Sequence, residues 1–274
     1  MMTPTDLDSL AASVPDGASI AVPPDNSLPS VALAMALARR GARGLRLIGV
    51  PVSGFATDVL IGAGCVAELE TSACSLGEAG FAPRFTDAVR RGTITLRDAT
   101  CPAIHAMLQA AEKGVPFLPL RGIIGSDILR HRPDWRVIDN PMADGGDPIV
   151  LLPALQPDIA MFHAAMADAH GNVWVGRRRE CATIAHAARR ALVTVERVVE
   201  GNLLEDERLA PGTISATYIE AVAVARRGAH PVALLDEYGP DEAFVAAYAR
   251  AARTAEGFRE WLDAPLSRPV ELAA

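Results

Sequence analysis

The chain has 274 residues, of which 50% are hydrophobic and 22% charged, with a formal net charge of -7. That is ample apolar material for one large α/β unit or two small ones. The basic residues are scattered in pairs and triplets such as Arg39-Arg40 and Arg177–Arg179, so no basic face offers itself to nucleic acid. No uncharged apolar run reaches the length of a membrane span.

The opening stretch MMTPTDLDSLAASVPDG carries aspartates and no basic residue before a short apolar run, which is not the pattern of a secretory signal. The four cysteines, Cys65, Cys74, Cys101 and Cys181, lack CxxC spacing and read as buried free thiols in a cytoplasmic protein. Ser19–Val22 then predicts a short buried strand, and Leu28–Arg40 a helix with Ser27 as cap and Pro29 in its first turn. Leu45–Val50 is the next strand, Thr57–Gly62 a short helix, and Val66–Ser72 a third strand. Phe85–Arg91 reads as a helix stopping at Gly92, Thr93–Arg97 as a strand, and Ala103–Lys113 as a helix closed by Gly114. Val115–Leu118 opens a further strand.

From Gly122 to Pro148 the rhythm breaks into Pro-, Gly- and Asp-rich sequence, a length of loop that is usually functional or an excursion from the core. The pattern resumes at Ile149–Leu152. Asp158–Gly176 reads strand, turn, strand, and Arg189–Val199 the end of a helix feeding another buried strand. The helix pair Asp241–Thr254 and Gly257–Asp263 closes the chain. Alternating strands and helices, with strands that are continuous apolar runs, predict an α/β fold with an open, mostly parallel sheet covered by helices on both faces. We read residues 1–274 as a single unit.

Three segments could carry chemistry. In Pro23–Ser27 (PPDNS), a loop between a strand and a helix, Asn26, Ser27 and the following amides could meet an anion; an ordinary capped turn explains the same residues. In Ser75–Phe85, Ser75 and Glu78 sit among glycines; Glu78 could serve a cleft or simply be solvated. In Pro116–Leu129, Arg121, Gly122, Gly125, Ser126 and Asp127 converge after a strand, as a binding loop or as a capped turn. The histidines show no metal-ligand spacing, and His163 within an apolar strand reads as a core histidine. Walker, GxGxxG and GxSxG motifs are missing from the sequence.

Six segments, Asp58–Cys65 (DVLIGAGC), Ser75–Phe85 (SLGEAGFAPRF), Val115–Asp127 (VPFLPLRGIIGSD), Asp158–Gly176 (DIAMFHAAMADAHGNVWVG), Ala187–Val199 and Ala216–Pro231, which includes Gly228–Pro231 (GAHP), resemble the α subunits of family I coenzyme A-transferases of the glutaconate CoA-transferase type. The resemblance implies a CoA-transferase and ribose-phosphate-isomerase-like fold. It further implies a separate β-type partner subunit, with α2β2 as the expected assembly. CoA would move between an acyl-CoA and a carboxylic acid through a glutamyl-CoA intermediate, with CoA as substrate and no resident cofactor. The nucleophilic glutamate of that family lies in the β subunit, and the nearest tripeptide here, Glu237-Tyr238-Gly239, reads as structural. The substrate-binding residues expected in this chain are Asn26, Ser27, Ser75, Glu78, Arg121, Gly122, Gly125, Ser126 and Asp127.

Two departures from the family pattern stand out. Val22-Pro23-Pro24-Asp25-Asn26-Ser27 replaces a Gly-Gly-Phe-like loop. Thr100-Cys101-Pro102 occupies the place of a glutamate used by a related hydrolase branch. A CoA-ester hydrolase or ring-opening subunit, and a non-catalytic CoA-ester-binding subunit, are the alternatives.

Overall fold

A computed structural model describes residues 2–264 of the chain; residue 1 and residues 265–274, the ends of the single unit expected over 1–274, lie outside the described residues. In chain order the first half runs α1 (Leu7–Ala12), β1 (Ser19–Val22), α2 (Val31–Arg40), β2 (Leu45–Gly49), α3 (Phe55–Gly62), β3 (Val66–Thr71), α4 (Pro83–Arg91), β4 (Thr95–Asp98), α5 (Cys101–Glu112) and β5 (Phe117–Leu120). The second half runs α6 (Ile128–His131), β6 (Arg136–Asp139), β7 (Pro148–Pro153), β8 (Ile159–Asp168), β9 (Val173–Trp174), α7 (Arg179–Ala187), β10 (Arg190–Val199), β11 (Thr213–Ile214), β12 (Ile219–Val224), α8 (Glu242–Ala251) and α9 (Ala255–Asp263).

Seven strands form a parallel sheet in the order β12-β10-β8-β1-β2-β3-β4. The short β9 folds back antiparallel on β8, and β11 pairs antiparallel with β9. Successive strand residues point to opposite faces, and both faces are buried over the central strands. Ile20, Val22, Leu47, Leu69 and Met161 face a cluster built with Leu33, Leu37, Phe55 and Phe258 from α2, α3 and α9. Ala21, Ile48, Phe162 and Val193 face a second cluster with Ile104, Leu108 and Ile184 from α5 and α7. Burial on both faces is why the central strands β1 and β8 are largely apolar.

The structure corrects five local expectations. Helix α2 begins at Val31, not Leu28, because Leu28 has a left-handed φ of 64° and its carbonyl accepts the His163 N–H at 2.8 Å. Ser30, rather than Ser27, then caps the helix, accepting the Leu33 N–H at 3.3 Å. The strand expected at Val115–Leu118 is β5, and it leaves the parallel sheet. It joins β7 and β6 in a separate three-stranded antiparallel sheet in the order β5-β7-β6. The stretch expected as loop between Gly122 and Pro148 holds α6 and β6. Of the four cysteines, Cys65, Cys74 and Cys181 are buried free thiols, but Cys101 is exposed.

The Asp168–Asn172 turn is a closed polar unit. Asp168 accepts the His170, Asn172 and Leu203 amides and the Asn172 side chain at 2.7–3.0 Å, so every lone pair of this buried carboxylate is committed. No helix among the described residues is long and apolar enough to cross a membrane.

Candidate functional site

Strands β1, β2 and β3 end level with one another, Val22 beside Gly49 and Ile48 beside Glu70. The loops that leave them gather at the carboxyl edge of the sheet, where open α/β folds bind ligands. A cavity of about 610 Å³ opens there. Pro24–Asn26, Val52–Gly54 and Ser75–Ala79 form one side, and Pro231–Ala233, Pro240 and the α8 residues Glu242, Val245 and Ala246 form the other.

Close backbone packing fixes the first side. The Ser53 amide donates to the Ala73 carbonyl at 2.8 Å and the Ser75 amide to the Ser53 carbonyl at 3.2 Å, which zips the β2 and β3 loops together. Gly49 leaves room for this: a Cβ there would fall 2.2 Å from Ser53 Oγ. The second side is held by aromatic packing, which concentrates on α3, α8 and α9. The Phe55 and Tyr248 rings lie 4.7 Å apart and Tyr248 and Trp261 4.6 Å apart, and the Tyr248 hydroxyl donates to buried Asp58 at 2.7 Å. Asp58 also accepts the Phe85 amide at 2.7 Å, capping α4. Burial pushes its carboxyl up in spite of these donors.

Asp25 is the group at this site that sequence reasoning missed. Both of its carboxylate oxygens lie 3.0 Å from the Phe55 amide, so Asp25 caps α3 from another loop while the helix's own N-cap, Gly54, has no side chain to offer. A Cβ on Gly54 would stand 2.3 Å from that carboxylate, so the glycine is the seat of the aspartate. Burial, offset in part by the Phe55 amide and reinforced by nearby Asp58, pushes the Asp25 carboxyl up to about 6. The available signal was an acidic residue directly after two prolines at a strand end, a place read instead for amide and hydroxyl donors.

This has a measurable consequence. A carboxyl whose folded pKa lies above its ordinary value of 3.8 supports the fold fully only below that ordinary value. The support is lost as pH rises through about 6, to the extent of about 3 kcal/mol. Asp25→Asn removes the charge and keeps an acceptor for Phe55. Its stability relative to the native chain should therefore improve as pH is raised from 4.5 to 7.5 in urea denaturation; a difference that stays flat with pH would refute the assignment.

The residues singled out from sequence divide between several places. Asn26, Ser75 and Glu78 line the cavity, Glu78 on an exposed one-turn 3-10 segment. Ser27 is buried and faces away, its hydroxyl donating to Glu180 at 3.3 Å and its carbonyl accepting the Cys181 thiol at 3.3 Å. Arg121, Gly122, Gly125, Ser126 and Asp127 follow β5 and therefore sit with the antiparallel sheet. None of the five lines the cavity. Arg121 forms a two-pronged pair with Asp147, Asp127 pairs with Arg130 at 2.9 Å, and the Ser126 hydroxyl is buried without a partner. Glu237 pairs with Arg197 at 2.6 Å and the Tyr238 hydroxyl donates to Glu196 at 2.9 Å, the structural duties expected of that tripeptide. His163 is fully buried with both ring nitrogens bonded. Among the described residues no cluster of His, Cys, Asp and Glu could hold a metal ion.

A covered parallel sheet with a largely aliphatic cavity at its carboxyl edge defines an α/β protein of the class whose strand-end loops are the usual place for a ligand. The family model for coenzyme A transferase matches residues 5–223, and the chain belongs to that family. It is 30% identical over 260 residues to the A-type subunit of the 3-oxoadipate CoA-transferase of Pseudomonas knackmussii, covering 91% of this chain and 88% of that protein. It is 32% identical over 221 residues to a cholesterol ring-cleaving hydrolase IpdA subunit of Rhodococcus jostii, covering 76% and 73%. The crystal structure of glutaconate coenzyme A-transferase from Acidaminococcus fermentans superposes with a TM-score of 0.85 at 26% identity, covering 94% of this chain and 86% of that one. An Archaeoglobus fulgidus relative, 32% identical, is longer: the chain spans 50% of its length.

Proposed function

We propose that this chain is the A-type subunit of a heteromeric CoA-transferase, completed by a β-type partner in an α2β2 assembly. Its role is to shape the acyl side of the site, with Asn26, Ser75 and Glu78 as polar contacts and CoA entering as substrate. The reaction needs a carboxylate nucleophile. It attacks the acyl-CoA carbonyl to give a mixed anhydride and CoA thiolate; the thiolate then attacks the nucleophile's own carbonyl, forming an enzyme thioester and releasing the first acid. The second acid takes over the CoA by the reverse sequence.

The observation that carries this division of labour is the state of the cavity's carboxylates. Asp25 has both oxygens on the α3 amide, and Glu78 and Glu242 are exposed at the rim, so none is held as a nucleophile. Family membership and the likeness to an A-type transferase subunit support the same reading. The purified chain should show no CoA transfer. Co-expression with the product of the adjacent gene should restore it, with the parallel double-reciprocal lines of a ping-pong reaction. Full turnover by this chain alone would overturn the proposal.

The relative named as a ring-cleaving hydrolase favours a second reading, a CoA-ester hydrolase subunit. Against it, the Thr100-Cys101-Pro102 site offers no carboxylate: Thr100 caps α5, accepting the Ala103 amide at 3.3 Å, and Cys101 Sγ lies 3.1 Å from Ser72 Oγ. Steady release of CoA from an acyl-CoA without any acceptor acid would select the hydrolase.

A further inference from the structure

The charge pattern of the cavity bears on which acyl group it takes. Its walls are largely aliphatic, with Val52, Leu76, Val232, Val245 and Ala246 among them. The ionisable residues lining it are Asp25, Glu78 and Glu242, and no lysine, arginine or histidine is among the lining residues. A second carboxylate at the far end of an acyl group would meet like charge and aliphatic surface, with no cation among the described lining residues to pair with.

The backbone offers such a carboxylate no help either. The N-terminus of α3 opens toward this cavity and would be the natural seat of a ligand anion. That seat is filled by the chain's own Asp25, both oxygens 3.0 Å from the Phe55 amide and packed against the bare Cα of Gly54. The N-terminus of α2, the other candidate after β1, is closed by Ser30, which is itself buried. The opposite wall, Pro231–Ala246, lies beyond the stretch matched by the family model, which ends at residue 223; it brings Glu242 and the valines.

We propose that the site selects an uncharged aliphatic acyl group, and that Asp25 and Glu242 discriminate against acids bearing a second carboxylate. This rests on the CoA-transferase reading above. The test uses the complex of this chain with its co-expressed partner. Acetyl-CoA, butanoyl-CoA and glutaryl-CoA are supplied as donors, with pentanoate and glutarate, matched in length, as acceptors.

The expected kcat/KM for pentanoate exceeds that for glutarate at least tenfold. Asp25→Asn and Glu242→Gln should each narrow the ratio at least threefold, through a lower KM for glutarate, with the circular dichroism of the complex unchanged. Glutarate used as well as pentanoate would overturn the proposal. A ratio that neither variant moves would overturn the assignment to these two carboxylates. Transfer to neither acid from any donor would instead overturn the CoA-transferase reading and this inference with it.

Discussion

Arg132→Ala should cost about 3–5 kcal/mol of stability, the range for stripping the partner from a buried charge. Arg132 is 2% exposed, and its guanidinium meets Glu70 at 2.7 Å, Asp134 at 2.9 and 3.1 Å and the Asp98 carbonyl at 3.2 Å, while lying 4.0 Å from the centre of the Trp135 ring. It stands at the end of α6, so these contacts fasten the segment that carries β6 to β3 and the edge strand β4. Glu70 is the vulnerable member. Burial raises its carboxyl even with Arg132 and Arg97 beside it, and without Arg132 only Arg97, at 3.6 Å, remains.

The double variant Arg132→Met with Glu70→Gln removes both charges together and should recover more than half of the loss, because a neutral pair has far less desolvation to repay. Urea denaturation of the single and double variants reads this directly. A single-variant loss below about 1 kcal/mol would place the cluster with solvent-screened surface pairs instead.

The parallel core was legible because its physics is local. A largely apolar run covered on both faces looks the same wherever its neighbours lie, as at Ser19–Val22 and Ile159–Asp168, while Leu45–Gly49 and Val66–Thr71 stand out by their place in the alternation of strands and helices. What stayed hidden depends on distant partners. The run at Phe117–Leu120 has the composition of a core strand, but its pairing with Pro148–Pro153 across the intervening excursion removes it from the parallel sheet. The loop after it, with Arg121 and its glycines, does not line the cavity at the carboxyl edge of the parallel sheet. Ser27 lost its role as helix cap to Ser30 through one left-handed residue, Leu28, whose carbonyl is claimed by His163 from β8. Asn26, Ser75 and Glu78 line the cavity because strand-end loops gather at that edge of the sheet. Asp25 was missed because its importance lies in a contact with Phe55, thirty positions along the chain.

Glu196→Ala should be about as damaging, at about 3–5 kcal/mol, because four donors lose one acceptor group. Glu196 accepts from His163 Nε2 at 2.9 Å, the Tyr238 hydroxyl at 2.9 Å, and the amides of Arg227 and Gly228 at 2.7 and 3.3 Å. On its far side the His163 ring pairs with the Thr194 hydroxyl at 2.8 Å, which in turn meets Ser30 at 2.6 Å. The Ser30 hydroxyl caps α2, so one carboxylate links a helix start, two neighbouring strands and the Gly228–Pro231 loop. That loop leads directly into the Pro231–Ala233 wall of the cavity, and it packs tightly at Gly228, where a Cβ would come within 2.6 Å of the His163 ring.

The pH dependence has the opposite sign to that of Asp25. Burial works to raise the Glu196 carboxyl, but His163, the Arg227 amide and the Tyr238 hydroxyl outweigh it and hold it below its ordinary value of 4.5. A depressed carboxyl contributes stability that is complete above the ordinary value and is lost as pH falls through the folded one. The native chain should therefore lose its advantage over Glu196→Gln on acidification below about pH 4.5. Hydrogen exchange locates the effect: protection at the Arg227 and Gly228 amides should collapse in Glu196→Ala while the β1 and β2 amides keep theirs. Protection at Arg227 and Gly228 that survives the substitution would mean the loop is held by its backbone turn, and that the carboxylate is dispensable to the cavity wall.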